Sequence, residues 1–167
     1  KEKIENLRQN YQSIELSEKK IAKNPIEQFE NWFNDALNAN LYEPNAMTLA
    51  TTSIDRKPSA RIVLLKGVDE KGFVFYTNYL SAKGKEIAKN PVAALIFFWA
   101  ELARQVRIEG TVEKLSKEAS EQYFHSRPRG SQLGAIVSPQ SQILASRDDL
   151  EKTWKELEQK YENKILP

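Results

Sequence analysis

The sequence predicts a mainly β domain with flanking helices, an α+β fold arranged as a small barrel with helical cover. Three observations carry that reading. The apolar period switches from helical to strand-like at Ala46. Residues 92–99 are apolar on both faces, as a central strand requires. Capped segments at helical spacing stand at both ends of the chain. With 167 residues the chain has the length of one domain, 1–167, divided into a helical segment 1–40, barrel strands 41–115 and a second helical segment 116–167.

The first 40 residues read as helix. Ile4, Leu7 and Tyr11 form one stripe, and Phe29, Trp32, Phe33, Ala36 and Leu37 form another. Asn24 caps the second stripe, Pro25 suits its first helical position, and Glu27 stands three residues after the cap. Residues 46–52 and 58–66 read as a hairpin around the polar residues 54–57. Residues 73–77 read as a third strand and 81–89 as a short helix closed by Asn90-Pro91. Residues 92–99 and the alternating residues 104–115 complete about five strands. Helix returns at 117–125 behind Ser116. Pro128 breaks that pattern, and a last helix starts at Ser146 with Asp148 and Asp149 in its first turn.

Composition removes several classes of function. The chain has 0 Cys and 1 His, which excludes disulfides, thiol catalysis and multi-His or Cys metal centres; no metal site is expected. Lys and Arg number 25 against 23 Asp and Glu, a net +2. That balance argues against a nucleic-acid partner held by bulk charge and leaves room for a local basic pocket. The longest apolar run, residues 92–100, falls far short of the roughly 20 that a bilayer span needs, so no membrane partner is expected. A Cys-free, charged chain fits the cytoplasm.

Four stretches carry candidate chemistry. Arg61 and Lys66 flank four apolar residues. A regular strand would aim them at opposite faces, so one anion meets both only if the strand bends or ends before Lys66; two snorkelling edge cations are the plainer reading. Tyr76-Thr77-Asn78, followed by Ser81, Lys83 and Lys85, joins a strand end to a helix N-terminus, which suits phosphate or is merely a capped surface helix. Tyr123, Arg127 and Ser131 repeat every four residues around Pro128, a phosphate cradle or a polar interhelical corner. Gln105 beside Arg104 and Arg107, with Gln140 and Ser141 in a later loop, offers amide groups suited to a planar heterocycle, or simply an exposed strand start and a turn. His125 has no identifiable carboxylate partner, and no acid–base pair is apparent. Two phosphate-like sites plus amides suggest a phosphorylated cofactor and a phosphorylated substrate.

Taken in order, residues 45–51, 61–66, 74–78, 104–106, 123–128, 131–135 and 138–141 resemble the pyridoxamine 5′-phosphate oxidase family of vitamin B6 metabolism. Each phrase is weak alone, and the ordered set is specific. The resemblance implies an FMN-binding split β-barrel working as a homodimer, with flavin mononucleotide (FMN) at the subunit interface. It implies oxidation of pyridoxine or pyridoxamine 5′-phosphate to pyridoxal 5′-phosphate, with hydride passing from substrate C4′ to flavin N5 and O2 as the final acceptor. By that likeness Arg61, Ile62, Val63, Leu64 and Lys66 line the flavin, and Arg61 and Lys83 hold its phosphate. Tyr76, Thr77, Gln105, Gln140 and Ser141 complete the cofactor contacts. Lys66, Tyr123, Arg127 and Ser131 match the grip on the substrate phosphate, and Arg8 and Tyr11 match a segment that covers the substrate. The alternative is a split-barrel flavin-binding protein without oxidase activity.

Two departures stand out. Ala82 occupies a position where the family usually has Arg, and the family's later Trp-Gly-Gly and Arg-x-His segments do not occur before Pro167. These residues alone are therefore expected to bind flavin weakly and turn over slowly.

Overall fold

A computed structural model describes residues 3–7 and 16–167. Arg8 and Tyr11 lie outside the described residues. The described elements are α1 (Pro25–Asn38), β1 (Ala46–Thr52), β2 (Pro58–Leu64), β3 (Gly67–Asp69), β4 (Gly72–Val74), α2 (Ala82–Lys89), β5 (Val92–Trp99), β6 (Arg104–Thr111), α3 (Lys117–Ser126), α4 (Arg129–Val137) and α5 (Arg147–Lys160). Four strands pair in the order β2-β1-β5-β6, and β3 pairs antiparallel with β4 through Gly67↔Val74, Val68↔Phe73 and Asp69↔Gly72. β5 is interior, as its two-faced apolar run requires. No helix among the described residues is long and apolar enough to cross a membrane.

The chain divides into two compact units. The first holds the described residues to Ala50 with Ala60–Phe75 and Ala94–Glu109. Its core is aromatic. Phe29 of α1 meets Phe73 edge-on at 4.8 Å and Phe97 at 5.0 Å, and Trp99 donates its indole N–H to Pro44 O at 3.0 Å. Met47 and Leu49 of β1 and Leu95 of β5 fill the remainder. Arg104 at the start of β6 reaches back to α1, pairing with Asp35 at 2.6 Å with its guanidinium over Trp32.

The second unit holds Thr51–Ser59, Tyr76–Ala93 and Gly110–Pro167. Leu133 and Leu166 are its buried apolar side chains, and Gly134 of α4 faces the Trp154 ring of α5. Arg129 donates to Tyr161 O and Lys164 O, which fastens the turn after α5 to the start of α4. Glu86 of α2 accepts from Thr51 and Ser59 hydroxyls at 2.5 and 2.8 Å, which ties α2 to the ends of β1 and β2.

The structure redraws three sequence expectations. α1 starts at Pro25 behind Asn24, as the sequence expects, but no α-helix precedes it among the described residues. Asn24 is extended and its side chain accepts from Ile26 N at 2.8 Å. A residue before proline is pushed out of the helical region, so no helix runs through this point. Residues 4–6 form one 3-10 turn. The third strand stops at Val74, because its partner begins at Gly67 and only the Lys66 N to Val74 O bond extends the pairing. Finally, β6 ends at Thr111. The β1–β2 hairpin forms without Asn-Gly because Arg56 itself takes the left-handed conformation, with φ 60°.

Candidate functional site

In the first unit the site residues sit on β2, just beyond it, and on β6. Arg61 is half-buried, and its guanidinium donates to Leu49 O of β1 at 3.1 Å. Val63 and Leu64 are half-buried as well, whereas Ile62 points away and is 64% exposed. β2 ends at Leu64, two residues before Lys66. The strict alternation that would separate Arg61 from Lys66 is therefore interrupted, which meets the condition set by the sequence for a shared anion. Gln105 is exposed on β6, alternating with half-buried Val106. Its cationic neighbours are engaged internally, Arg104 with Asp35 and Arg107 with Glu109.

In the second unit residues 76–84 build a turn into a helix. Ser81 caps α2: its hydroxyl accepts from Gly84 N at 3.2 Å and donates to Asn78 O at 2.6 Å. Gly84 is obligatory for this packing. A Cβ there would stand 2.5 Å from Tyr79 O and 2.7 Å from Asn78 O. Lys83 donates to Gln140 Oε1 at 2.8 Å, so two residues far apart in sequence meet at the start of α2. Ser141, next to Gln140, holds a left-handed backbone with φ 66°. Ala82 is exposed. Among the described residues, the Thr77 hydroxyl is buried and has no hydrogen-bond partner. Such groups are rare, because leaving one unpaired costs about 1–3 kcal/mol.

The third group is the α3–α4 corner, also in the second unit. Tyr123 lies in the last turns of α3, Arg127 is its C-cap, and Ser131 lies in the first turn of α4. One helix-turn-helix thus carries all three. The Tyr123 ring stacks on Tyr76, with centroids 3.6 Å apart and planes 4° from parallel. Arg127 is half-buried and Ser131 exposed. Gln132 donates its side-chain amide to Arg127 O at 2.7 Å and to His125 O at 3.3 Å. Gln132 falls within residues 131–135 of the family-like set, and the resemblance gives it no role. The signal available was a polar side chain four residues past Pro128, where α3 leaves open carbonyls.

These residues suit a phosphate-bearing cofactor with hydrogen-bonding groups along its length. The buried Thr77 hydroxyl, without a partner among the described residues, is a candidate to pair with such a group. Ser81 satisfies the Gly84 amide of the first turn of α2, which leaves those of Ala82 and Lys83 without an acceptor in the helix, and the Lys83 side chain adds a cation beside them.

Comparison with known proteins agrees. A family model described as pyridoxamine 5′-phosphate oxidase matches residues 33–161. The pyridoxine/pyridoxamine 5′-phosphate oxidase of Acaryochloris marina is 57% identical over 164 residues, covering 98% of this chain and 75% of the relative. The enzyme of the same name from Salinibacter ruber is 60% identical over 149 residues, covering 89% of this chain and 69% of its own. Among solved structures, PhzG from Burkholderia lata 383, in complex with tetrahydrophenazine-1-carboxylic acid, superposes with TM-score 0.83 at 27% identity, covering 89% of this chain and 73% of that one. A pyridoxamine 5′-phosphate oxidase-related, FMN binding protein from Nostoc punctiforme gives TM-score 0.60 at 19% identity, over 79% and 71% of the two chains, and speaks for the fold alone. The protein thus has the mixed α+β fold of the split-barrel flavoproteins. At this level of identity the assignment narrows further, and the chain belongs to the pyridoxamine 5′-phosphate oxidase family.

Proposed function

We propose that this protein oxidises pyridoxine or pyridoxamine 5′-phosphate to pyridoxal 5′-phosphate in vitamin B6 biosynthesis and salvage, using FMN and passing two electrons to O2 to give hydrogen peroxide. The observation that carries the reading is the α3–α4 corner, which places Tyr123, Arg127 and Ser131 on one short stretch in a chain of this family. FMN, when bound, supplies the redox chemistry that no side chain here can perform. The protein's part is binding and orientation. Arg61 and Lys83 would hold the cofactor phosphate as charge-assisted donors. Thr77, Tyr76, Gln105, Gln140 and Ser141 would supply polar contacts to the rest of the cofactor, and Ile62, Val63, Leu64 and Lys66 would line it. Tyr123, Arg127, Ser131 and Lys66 would hold the substrate phosphate, with Arg8 and Tyr11 covering the substrate. Fixing two planar reactants at contact distance is itself worth a large part of the barrier.

The working form in this reading is a homodimer with FMN at the interface. Ile62 and Phe98 support it: they are 64% and 63% exposed, while Phe97 and Trp99 beside Phe98 are buried. Exposed apolar side chains of this size on strands suit a protein partner.

The test is to load the protein with FMN, desalt it, and add pyridoxine 5′-phosphate without oxygen. Flavin absorbance that is weakly retained, bleaches slowly and returns with air is the expected result. Retained flavin that never bleaches would favour a binding protein without oxidase activity. The Arg127→Ala variant should keep its flavin and show a KM for pyridoxine 5′-phosphate raised about tenfold or more, the loss of a charge-assisted contact.

A further inference from the structure

We infer that Gln132 is a positioning residue of the substrate-phosphate grip, acting through Arg127. The inference rests on the reading of Tyr123, Arg127 and Ser131 given above. α3 ends at Ser126, and Arg127 caps it in an extended conformation, φ −76° and ψ 152°. Pro128 follows and has no N–H to offer the open carbonyls of the helix. The chain then turns at once into α4, with Ser131 N and Gln132 N both donating to Pro128 O at 2.8 and 3.1 Å. Two residues therefore form the whole hinge between the helices. The only side chain described as spanning it is Gln132, whose amide nitrogen reaches Arg127 O at 2.7 Å and His125 O at 3.3 Å. Both partners are carbonyl oxygens, so the NH2 end must face them and both of its hydrogens are used.

The geometry separates Gln132 from the phosphate ligands. Its contacts are to backbone, on the residue that carries the guanidinium and on one two positions earlier. Tyr123 is held independently, by the stack on Tyr76. Arg127 has no such ring against it among the described contacts; its N–H donates to Phe124 O at 3.3 Å, and its carbonyl is held by Gln132. Removing the amide frees the hinge and lets the guanidinium wander, while the hydroxyls and the cofactor residues keep their supports.

The test is a double-mutant cycle on the FMN-loaded protein, read as pyridoxal 5′-phosphate affinity by calorimetry, with FMN affinity followed separately by fluorescence quenching. Gln132→Met keeps the length and removes the donors. It should weaken pyridoxal 5′-phosphate binding five- to thirtyfold and leave FMN affinity within twofold. In an Arg127→Ala background the same change should cost less than twofold, because its target is gone. A purely structural role would give equal losses in both backgrounds, and that result would overturn the inference. So would a folded Gln132→Met protein that binds as the parent does. If Gln132→Met loses its helical circular dichroism, Gln132→Asn, one methylene too short to span the hinge, goes through the same cycle under the same criteria. Arg127→Ala binding as tightly as the parent would overturn the reading of the corner, and this inference with it. A weak Arg127→Ala beside a tight Gln132→Met overturns this inference alone.

Discussion

The Lys83 ammonium donates to the side-chain oxygen of Gln140 at 2.8 Å, across 57 residues of sequence. The bond fastens the loop before α5 to the first turn of α2, so that two residues proposed for the cofactor act as one unit. Lys83→Met removes the cation and the anchor together. FMN affinity should fall about tenfold to a hundredfold, the range for a lost charge-assisted bond of about 1.5–3 kcal/mol. Gln140→Ala should cost less, since Lys83 stays in place. Titration of FMN fluorescence checks both.

Ala82 precedes Lys83 and is exposed at the same helix start. Ala82→Arg adds a cation where the helix dipole already favours an anion. It should tighten FMN binding about threefold or more in low salt, and the gain should shrink as salt is raised. An affinity unchanged at every ionic strength would separate this position from the cofactor phosphate.

Gly84→Ala sets two effects against each other. Alanine is favoured in a helix by about 1 kcal/mol. Against that, the added methyl would press on the backbone oxygens of Asn78 and Tyr79, which cannot rotate aside as a side chain could. Overpacking costs about 1–3 kcal/mol, and the upper end applies here. A net loss of about 2 kcal/mol is expected in urea unfolding, together with weaker FMN binding, because the displaced loop carries Thr77.

Arg56→Gly tests the hairpin. A left-handed backbone costs an ordinary residue roughly 1–2 kcal/mol, and glycine avoids most of that. Arg56 is exposed at φ 60°, so the variant should gain about 0.5–1 kcal/mol after the larger entropy of its unfolded chain is counted. In the same assay Phe29→Ala should lose about 3–5 kcal/mol, since it opens the centre of the aromatic core.

Phe98→Asp addresses the proposed dimer. The side chain is 63% exposed, so folding of one chain should barely register the change. Sedimentation should register it as a shift to monomer, with FMN affinity falling in step. A variant that stays dimeric would move the interface elsewhere.

Much of this was readable from residue patterns, where local chemistry decides the outcome. Asn24-Pro25, Ser81, Ser116 and Ser146 cap their helices as their side chains dictate, and β1, β2 and β5 follow their apolar period. The misreadings arose where a distant partner decides. Phe75 to Thr77 look like strand, yet β3 is too short to pair with them. The site divides the same way. Tyr123, Arg127 and Ser131 share a corner because their spacing spans one turn and a break. The Lys83–Gln140 bond, the Tyr76–Tyr123 stack and the close approach at Gly84 belong to tertiary packing, which no local pattern encodes.

Burial of an unpaired hydroxyl such as that of Thr77 is expected to cost about 1–3 kcal/mol of stability. A valine of nearly the same shape would remove the unmatched group, and the empty protein should melt several degrees higher. The same change should lower the melting point gained on adding FMN. On the proposed reading, tolerance of heat and readiness for cofactor would pull in opposite directions at this one side chain, and selection for thermostability alone would be expected to erase it.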